Sequence, residues 1–233
     1  MTAVIALLCA MPLELRPLRR RLRLRKTELG HVGRIGDRQV IATASGVGTA
    51  LARAATARLL DAVDIDWVIV VGIAGAIGNQ IPIGTLVYPH VVVDGADGSA
   101  HHPTPLPVGT PYGKLWTTDE LLLDRAQHAE LRLDGVLALD METAAVAKVC
   151  ADRGVPWSVV RAISDRASDG TVDAEIFGLT RADGRPNFPA VGRYLVTHPN
   201  RVPRLLRLSR GSRLAAERAA DAAITAVSRS INS

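Results

Sequence analysis

The chain has 233 residues, of which 48% are hydrophobic, so it is long enough to bury one sizeable core. We expect a single domain over residues 1–233. The formal net charge is +5, and aromatic side chains make up only 3% of the residues. A protein that binds single-stranded nucleic acid needs aromatic side chains on which bases stack, so nucleic acid is not expected as a partner.

Apolar runs alternate with helical patterns along the chain. The runs that predict strands are Val4–Leu8, Val40–Ala44, Trp67–Val71, Leu86–Val93, Val136–Leu139 and Trp157–Ile163. Apolar residues at helical spacing predict helices over Leu13–Leu24, Ala50–Ala62 and Met141–Asp152. Turn-forming residues predict loops over Asp94–Gly113 and Asp183–Asn187. The alternation predicts the α/β class: a single-domain sandwich around a mixed, mostly parallel central sheet.

The cysteines and histidines suggest neither a disulfide framework nor a metal site. Cys9 and Cys150 lie in apolar segments and are expected to be buried thiols in a reducing cytoplasm. His101-His102 lies among Gly and Pro residues, where a solvated loop is favoured over a metal ligand pair. Apolar Ala3–Met11 has no basic residue before it, unlike a signal peptide, and no apolar run reaches transmembrane length.

Two arginine-rich segments, Arg16–Lys26 and Arg201–Arg218, hold most of the excess positive charge. One interpretation is a surface for an acidic partner, and the other is the solvated face of two amphipathic helices, which we favour. The second segment belongs to a basic, largely helical C-terminal extension over about residues 190–233, interrupted by Pro199 and Pro203. Peripheral contact with a membrane surface through this extension stays an alternative.

The most informative stretch runs from Leu137 to Asp169. Glu142 and Asp165 each follow an apolar run, and the helical pattern over Met141–Asp152 separates the two runs. This order predicts a strand–helix–strand unit. Ligands of open α/β sheets bind beyond the carboxyl ends of strands, so both carboxylates are expected to border one pocket.

The residues of this stretch also resemble a known family. The segments Asp140–Ala147, DMETAAVA, and Val159–Asp165, VVRAISD, resemble the signature of the purine nucleoside phosphorylase/uridine phosphorylase superfamily. Within it the chain most resembles the methylthioadenosine/S-adenosylhomocysteine nucleosidases. Three further segments resemble the family in the same order along the chain: Leu8–Glu14, Ser45–Gly48 and Val71–Ala76.

The resemblance implies cleavage of the N-glycosidic bond of a purine nucleoside. Glu142 would accept hydrogen bonds from the two ribose hydroxyls, over Met141 as an apolar floor. Asp165, kept protonated by burial and preceded by Ser164, would donate a proton to the purine. The residue-level alternatives are a helix first-turn acid for Glu142, a core side chain for Met141 and a helix cap for Asp165.

The resemblance also assigns a base. Glu14 would take a proton from the attacking water, opposite Asp165, although Pro12-Leu13 replace acidic residues common before this glutamate. The alternative is a surface glutamate that pairs with an arginine. Arg161 would either approach the sugar or pair with a carboxylate such as Glu142.

Glycine and apolar residues complete the expected site. By resemblance, Val47, Gly72 and Ile73 would line the substrate, and Leu121 and Leu122 would flank the purine. Phosphorylases of the superfamily have arginine and serine around Gly72, where this chain has Val70 and Ile73. An anion without donors in an apolar pocket is strongly penalised, so water is favoured over phosphate as the nucleophile.

We therefore expect an adenine nucleosidase that uses no cofactor or metal, forms a homo-oligomer of two or more subunits, and works in the cytoplasm. The alternatives are a phosphate-dependent nucleoside phosphorylase, including one for a futalosine-type substrate, or a non-catalytic nucleoside-binding protein. The C-terminal extension resembles that of hopanoid-associated phosphorylases, which leaves the group at the 5′ position of the substrate open.

Overall fold

The computed structural model describes residues 3–78, 80–120, 124–166, 179, 181–185 and 187–230. Its strands are β1 (Val4–Cys9), β2 (Arg25–Thr27), β3 (Gly30–Ile35), β4 (Arg38–Ala44), β5 (Trp67–Ala76), β6 (Leu86–Val87), β7 (Val91–Asp94), β8 (Ala100–His101), β9 (Lys114–Thr117), β10 (Val136–Asp140) and β11 (Trp157–Arg166). Its helices are α1 (Pro12–Arg21), α2 (Thr49–Ala62), α3 (Arg125–Leu133), α4 (Thr143–Asp152), α5 (Phe188–Thr197) and α6 (Val202–Arg229), with a 3-10 turn at Pro199–Arg201.

One mixed sheet joins these strands. Strands β4, β1, β5 and β11 are parallel neighbours in this order and form its centre. The last residues of β5 extend beyond β1 and pair antiparallel with β10, which continues the sheet through β9, β7 and β8. The predicted α/β class is confirmed, with the parallel strands at the centre and antiparallel pairs further out.

Two hydrophobic cores cover the two faces of the sheet. Successive residues of a strand point to opposite faces. Ile5, Leu7 and Cys9 of β1 therefore pack with α1 and α6, whereas Ala6 and Leu8 pack with α2 and α4. The predicted strands and helices are present because their apolar residues match these two faces.

Some elements carry no clear apolar run and were not predicted. Strand β2 is exposed, and β3 contains two glycines and two polar residues, His31 and Arg34.

The predicted strand Leu86–Val93 is divided into β6 and β7. Pro89 lies between them, and a proline has no N–H group for the ladder.

The predicted strand–helix–strand order of β10, α4 and β11 is present, but the two strands are not neighbours in the sheet and run in opposite directions. β5 lies between the two strands, and β10 runs antiparallel to β5 while β11 runs parallel to it. The end of β10 therefore reaches the end of β11 from the opposite direction. An apolar run does not encode strand direction, so the sequence pattern could not distinguish the two arrangements.

The predicted C-terminal helical segment packs onto the sheet. Helix α6 buries alanines along one face, including Ala215, Ala219 and Ala223, in the same core as Ile5, Leu7 and Cys9 of β1. Pro203 lies in its first turn, where a missing N–H group costs nothing, so it begins the helix and does not interrupt it. Among the described helices, none has the length and apolarity needed to cross a bilayer.

Candidate active site

A cavity of about 1060 Å³ opens where β1, β5 and β11 end. Glu14, Glu142 and Asp165 all line it, as the sequence predicted. Its wall also includes the end of β5, the glycine turn before α2, the loop over residues 181–185 and one face of α6. A pocket of this size accommodates a substituted nucleoside.

Glu14 lies in the first turn of α1 and is almost completely buried. Its Oε2 accepts hydrogen bonds from the N–H groups of Ala10 and Met11, both at 2.8 Å. Its Oε1 accepts one from Ile73 at 2.8 Å. Three backbone donors fix the carboxyl group at the cavity wall, which excludes the alternative of a surface glutamate paired with an arginine.

Arg161 is fully buried behind the cavity wall. Its Nη2 donates to Asp140, to Glu142 Oε2 at 3.2 Å and to Thr143 Oγ1 at 3.0 Å, and its Nη1 lies 3.9 Å from Glu14 Oε1. The predicted pairing with Glu142 is therefore present, and Arg161 does not line the cavity. One guanidinium group connects Glu14 with Asp140 and Glu142, which lie more than 120 residues further along the chain.

Gly72 provides the space for this arrangement. A Cβ atom at Gly72 would lie 2.4 Å from both Arg161 Nη1 and Glu14 Oε1. Gly72 is not part of the cavity wall, so its place in the site is beneath the side chains and not against a ligand. Gly75 lies closer to the opening, where a Cβ atom would be 3.4 Å from Asp165 Oδ2.

Asp140 is a site residue that was named from the sequence only as the first residue of the family signature, with no role assigned. It is buried and accepts hydrogen bonds from Arg161, from Thr143 and from Thr117 Oγ1, the last at 2.6 Å. The signal for it is a second acidic residue two positions before Glu142, at the end of an apolar run. A buried charge needs a partner, and Arg161 is the buried cation that provides one.

Glu142 is the N-cap residue of α4, yet its side chain does not cap the helix. Its Oε1 accepts a hydrogen bond from Gly48 N at 3.2 Å, and its Oε2 faces Arg161. Gly48 has φ = 103°, a conformation that strongly favours glycine. The glycine turn thus holds the carboxyl group of Glu142 directly, and Met141 lines the cavity beside it.

The buried carboxylates outnumber the buried cation, and their pKa values reflect this. Burial raises the pKa of Glu142 to about 8, with Asp140 and Glu14 adding to the increase and Arg161 opposing it. Burial also raises the pKa of Glu14 against the effect of Arg161 and three backbone donors. Burial alone would lower the pKa of Arg161, but the neighbouring carboxylates raise it, so the guanidinium stays charged.

Asp165 is half-buried at the end of β11 and faces the cavity. Ser164 donates to Asp165 Oδ1 at 2.5 Å and to the Ala74 carbonyl oxygen at 3.3 Å, which ties the carboxyl group to the end of β5. The register of β11 against β5 shifts between Ile163 and Asp165. Such a bulge re-aims side chains at the end of a strand.

The remaining predicted residues fall into three groups. Val47 and Ile73 line the cavity, as does Thr118–Glu120. Val70 is buried in the core under α2 and α4 and does not line the cavity. Of the two residues that stand where phosphorylases have arginine and serine, only Ile73 therefore bears on the choice between water and phosphate. Leu121 and Leu122 lie outside the described residues.

The sequence analysis did not identify the wall that follows β11. Residues 181, 182, 184 and 185 of the loop line the cavity, together with Leu205, Leu208, Ser209, Ser212 and Arg213 of α6. No local pattern links these residues to Glu14, because they are brought together only when α6 packs beside α1. Within the described part of the chain, no group of three or more His, Cys, Asp or Glu side chains could hold a metal ion.

The sheet with a cavity at its strand ends defines an α/β enzyme, and the curated relatives of this chain are nucleosidases. The model of the phosphorylase superfamily matches residues 4–112 and 99–197, and the chain belongs to this superfamily. The matched residues contain Glu14, Glu142, Arg161 and Asp165.

Curated relatives point to one branch of the superfamily. The 5′-methylthioadenosine/S-adenosylhomocysteine nucleosidase of Staphylococcus epidermidis is 28% identical over 206 residues, covering 71% of this chain and 87% of that protein. The enzyme of the same name from Chromohalobacter salexigens is 30% identical over 198 residues, covering 70% and 84%.

Solved structures share the fold over nearly the whole chain. The Helicobacter pylori nucleosidase of the same name, in complex with a substituted pyrrolidin-3-ol, has a TM-score of 0.73 at 17% identity, with 98% of this chain and 99% of that chain covered. The futalosine hydrolase of the same organism has a TM-score of 0.74 at 19% identity, covering 98% and 99%. The C-terminal helix lies within this shared fold.

Proposed function

We propose that this protein hydrolyses the N-glycosidic bond of an adenine nucleoside that carries a 5′ substituent, as in methylthioadenosine or S-adenosylhomocysteine. The observation that carries the proposal is the placement of Glu14, Glu142 and Asp165 around one cavity. The curated relatives support hydrolysis as the reaction.

Each of the three carboxyl groups has its own role in the reaction. Glu142 accepts hydrogen bonds from the ribose hydroxyls. Asp165, as the acid, protonates N7 of the base while the bond from C1′ to N9 breaks and its electrons move into the purine ring. Water attacks C1′ and gives a proton to Glu14, so the products are the free base and the free sugar.

The position of Glu14 suits a base. Its three backbone donors occupy three of the sites on its two oxygens, and acceptor capacity remains for a water proton. Burial raises the pKa of Glu14 above the usual range of a glutamate, which strengthens the carboxylate as a proton acceptor. Asp165 lines the same cavity.

Water is favoured over phosphate because the wall beside Glu14 is apolar there. Ile73 lines the cavity, and its N–H group already donates to Glu14. A phosphate would need several donors at this point to offset its desolvation. Arg16, further along α1, also lines the cavity and carries a positive charge, so phosphorolysis stays the alternative.

The test is base release from methylthioadenosine, S-adenosylhomocysteine and adenosine, with and without inorganic phosphate, with the sugar product identified by chromatography. We expect adenine and a free sugar without phosphate. A ribose 1-phosphate product that appears only with phosphate would replace hydrolysis by phosphorolysis. Binding without any base release would favour the non-catalytic alternative.

Variants assign the roles. We expect Asp165→Asn and Glu14→Gln each to lower kcat by about 10²- to 10⁴-fold, the usual contribution of a general acid or base. Asp152→Asn changes an exposed acid at the end of α4 and should keep normal turnover. If Asp165→Asn had near-normal kcat, the assignment of Asp165 as the acid would be wrong.

We also propose an oligomeric state and a cellular compartment for this enzyme. We infer a homo-oligomer from the resemblance to the nucleosidases, and analytical ultracentrifugation measures the subunit number. We place it in the cytoplasm because both cysteines are free and buried, which suits a reducing compartment.

Membrane contact through the arginines of α6 is tested by co-sedimentation with anionic vesicles, and loss of binding at moderate salt would identify an electrostatic contact.

A further inference from the structure

Arginines form one part of the cavity wall. Arg16 of α1, Arg213 of α6 and Arg181 and Arg185 of the loop all line the cavity and are exposed. In the part of the chain that the structure describes, neither Arg16 nor Arg213 forms an ion pair or a side-chain hydrogen bond. We call these four residues the arginine rim.

The two helices of the rim run in the same direction. Helix α1 begins just after β1 ends and runs back along the sheet. Helix α6 passes Ser164 O, near the end of β11, at Gly211, and its end receives a hydrogen bond from Arg38 Nη2, at the start of β4, to Ser230 O at 2.7 Å. Both helices are therefore antiparallel to the central strands and parallel to each other.

This direction places Arg16 beside Arg213. One turn further along, Arg20 Nη2 pairs with Glu217 Oε2 at 2.9 Å, and Arg21 pairs with Asp221. Arg16 and Arg213 each lie four residues before the first pair, at the same level of the two helices. One turn away from the cavity, α1 and α6 are joined by an arginine and a glutamate. At the cavity, the corresponding positions of the two helices both carry a positive charge.

Two adjacent guanidinium groups repel each other, and an anion between them would reverse the sign of the interaction. Hydroxyl donors are present on the same wall, since Ser209 and Ser212 precede Arg213 on one face of α6. The loop is held to the glycine turn before α2, because Val47 N donates to Ala182 O at 2.8 Å. Gly184 packs on Met11, where a Cβ atom would lie 2.6 Å from Met11 Cγ.

The proposed function fixes which part of a nucleoside would meet this rim. Glu142 takes the ribose hydroxyls and Asp165 takes the base, so the wall formed by Met11–Leu13, the loop and α6 is left for the 5′ substituent. We propose that the arginine rim binds an anionic group, a carboxylate or a phosphate, at the 5′ side of the substrate. This inference rests on the proposed function, because that function orients the nucleoside.

The test compares substrates that differ in charge at the 5′ position. For the carboxylate, 5′-carboxymethylthio-5′-deoxyadenosine is compared with its methyl ester. For the phosphate, adenosine 5′-monophosphate is compared with adenosine. We expect kcat/KM of the unmodified enzyme to be about tenfold higher for the anionic member of at least one pair, with a preference that falls as salt is added. The pair that shows the preference identifies the source of the anion.

The matched variants remove two charges each. Arg16→Gln with Arg213→Gln should abolish the preference for the anionic member. Arg19→Gln with Arg210→Gln removes the same charge from the same two helices at exposed residues outside the cavity wall, and should keep the preference. An equal loss in both double variants would indicate a general effect of net charge and would overturn the proposal.

Two further outcomes separate this inference from the proposed function. Equal base release from the charged and neutral members would overturn the arginine rim and leave the nucleosidase assignment in place. No base release from any substrate would overturn the nucleosidase assignment. Binding of the carboxylate pair built on 7-deazaadenine, which lacks N7, then decides the inference: arginine-dependent preference for the acid supports it, and equal binding overturns it.

Discussion

At the scale of single residues, the site depends on one buried cation. Arg161 lies between Glu14, Asp140 and Glu142, and a buried arginine can only be accommodated with such partners. The sequence analysis left two alternatives for Arg161, and the structure has the carboxylate pairing. The buried charges also explain why a glycine precedes Ile73, since Gly72 leaves room for the guanidinium group.

Gly72→Ala tests this packing. The added methyl group would overlap Arg161 and Glu14, so we expect the free energy of unfolding to fall by about 1–3 kcal/mol, measured by urea titration. Gly78→Ala is the control, because its Cβ atom would meet nothing closer than Ile81 Cγ1 at 4.0 Å. Equal stability of the two variants would contradict the close packing at Gly72.

The raised pKa of Glu142 predicts a pH dependence of stability. Its pKa rises from 4.5 to about 8 on folding, so the native state holds this proton more tightly than the unfolded chain. The free energy of unfolding should therefore decrease as the pH rises through this interval, with a slope of up to ~1.4 kcal/mol per pH unit from this group.

Urea titrations at several pH values measure that slope. Glu142→Gln should flatten it in part, because Glu14 also has a raised pKa and contributes in the same direction. Asp152→Asn, at an exposed position, should leave the slope unchanged. A slope that is identical in the native sequence and in Glu142→Gln would refute the assignment.

At the scale of elements, α6 joins the fold to the site. Its alanine face covers the sheet, its salt bridges hold it to α1, and Ser209, Ser212 and Arg213 line the cavity. The small alanine side chains let the helix lie close to the strands. Most of the arginines of α1 and α6 face away from the sheet, in agreement with the solvated helix faces favoured from the sequence.

Ala223→Leu tests the close approach of α6. Ala223 is fully buried against the sheet, and the larger side chain should lower the free energy of unfolding by about 1–3 kcal/mol. Thr225→Leu places the same side chain on the exposed side of the same helix and should change stability by less than about 0.5 kcal/mol. Thermal unfolding of both variants measures the difference, and similar values would argue against tight packing.

At the scale of the whole molecule, two cores share one sheet. Cys9 belongs to the core under α1 and α6, and Cys150 to the core under α2 and α4. Burial raises the pKa of both thiols, that of Cys150 to about 12. Each thiol is therefore unreactive in the folded protein and reports on the opening of one face.

Thiol labelling in urea tests whether the faces unfold together. With Cys150→Ala leaving only Cys9, and Cys9→Ala leaving only Cys150, we expect the same labelling midpoint once each variant is referred to its own stability. Labelling of one thiol at clearly lower urea would show that one face opens separately, against the expected single domain.

Part of this fold and site is encoded locally in the sequence. The strands of the parallel centre, helices α1, α2 and α4, and the convergence of Glu14, Glu142 and Asp165 were predicted. The strands, the helices and the shared pocket of Glu142 and Asp165 were predictable because apolar periodicity and position at a strand end are local properties of the chain, whereas Glu14 was placed by the family resemblance.

The tertiary structure alone decided the rest. The direction of β10, the pairing of Asp140 with Arg161, and the neighbouring positions of Arg16 and Arg213 all depend on contacts between distant segments. Neither strand direction nor helix neighbours leave a periodic signal in the residues themselves. The sequence therefore determined which chemical groups this protein has, and the packing of the sheet and α6 determined which of them meet.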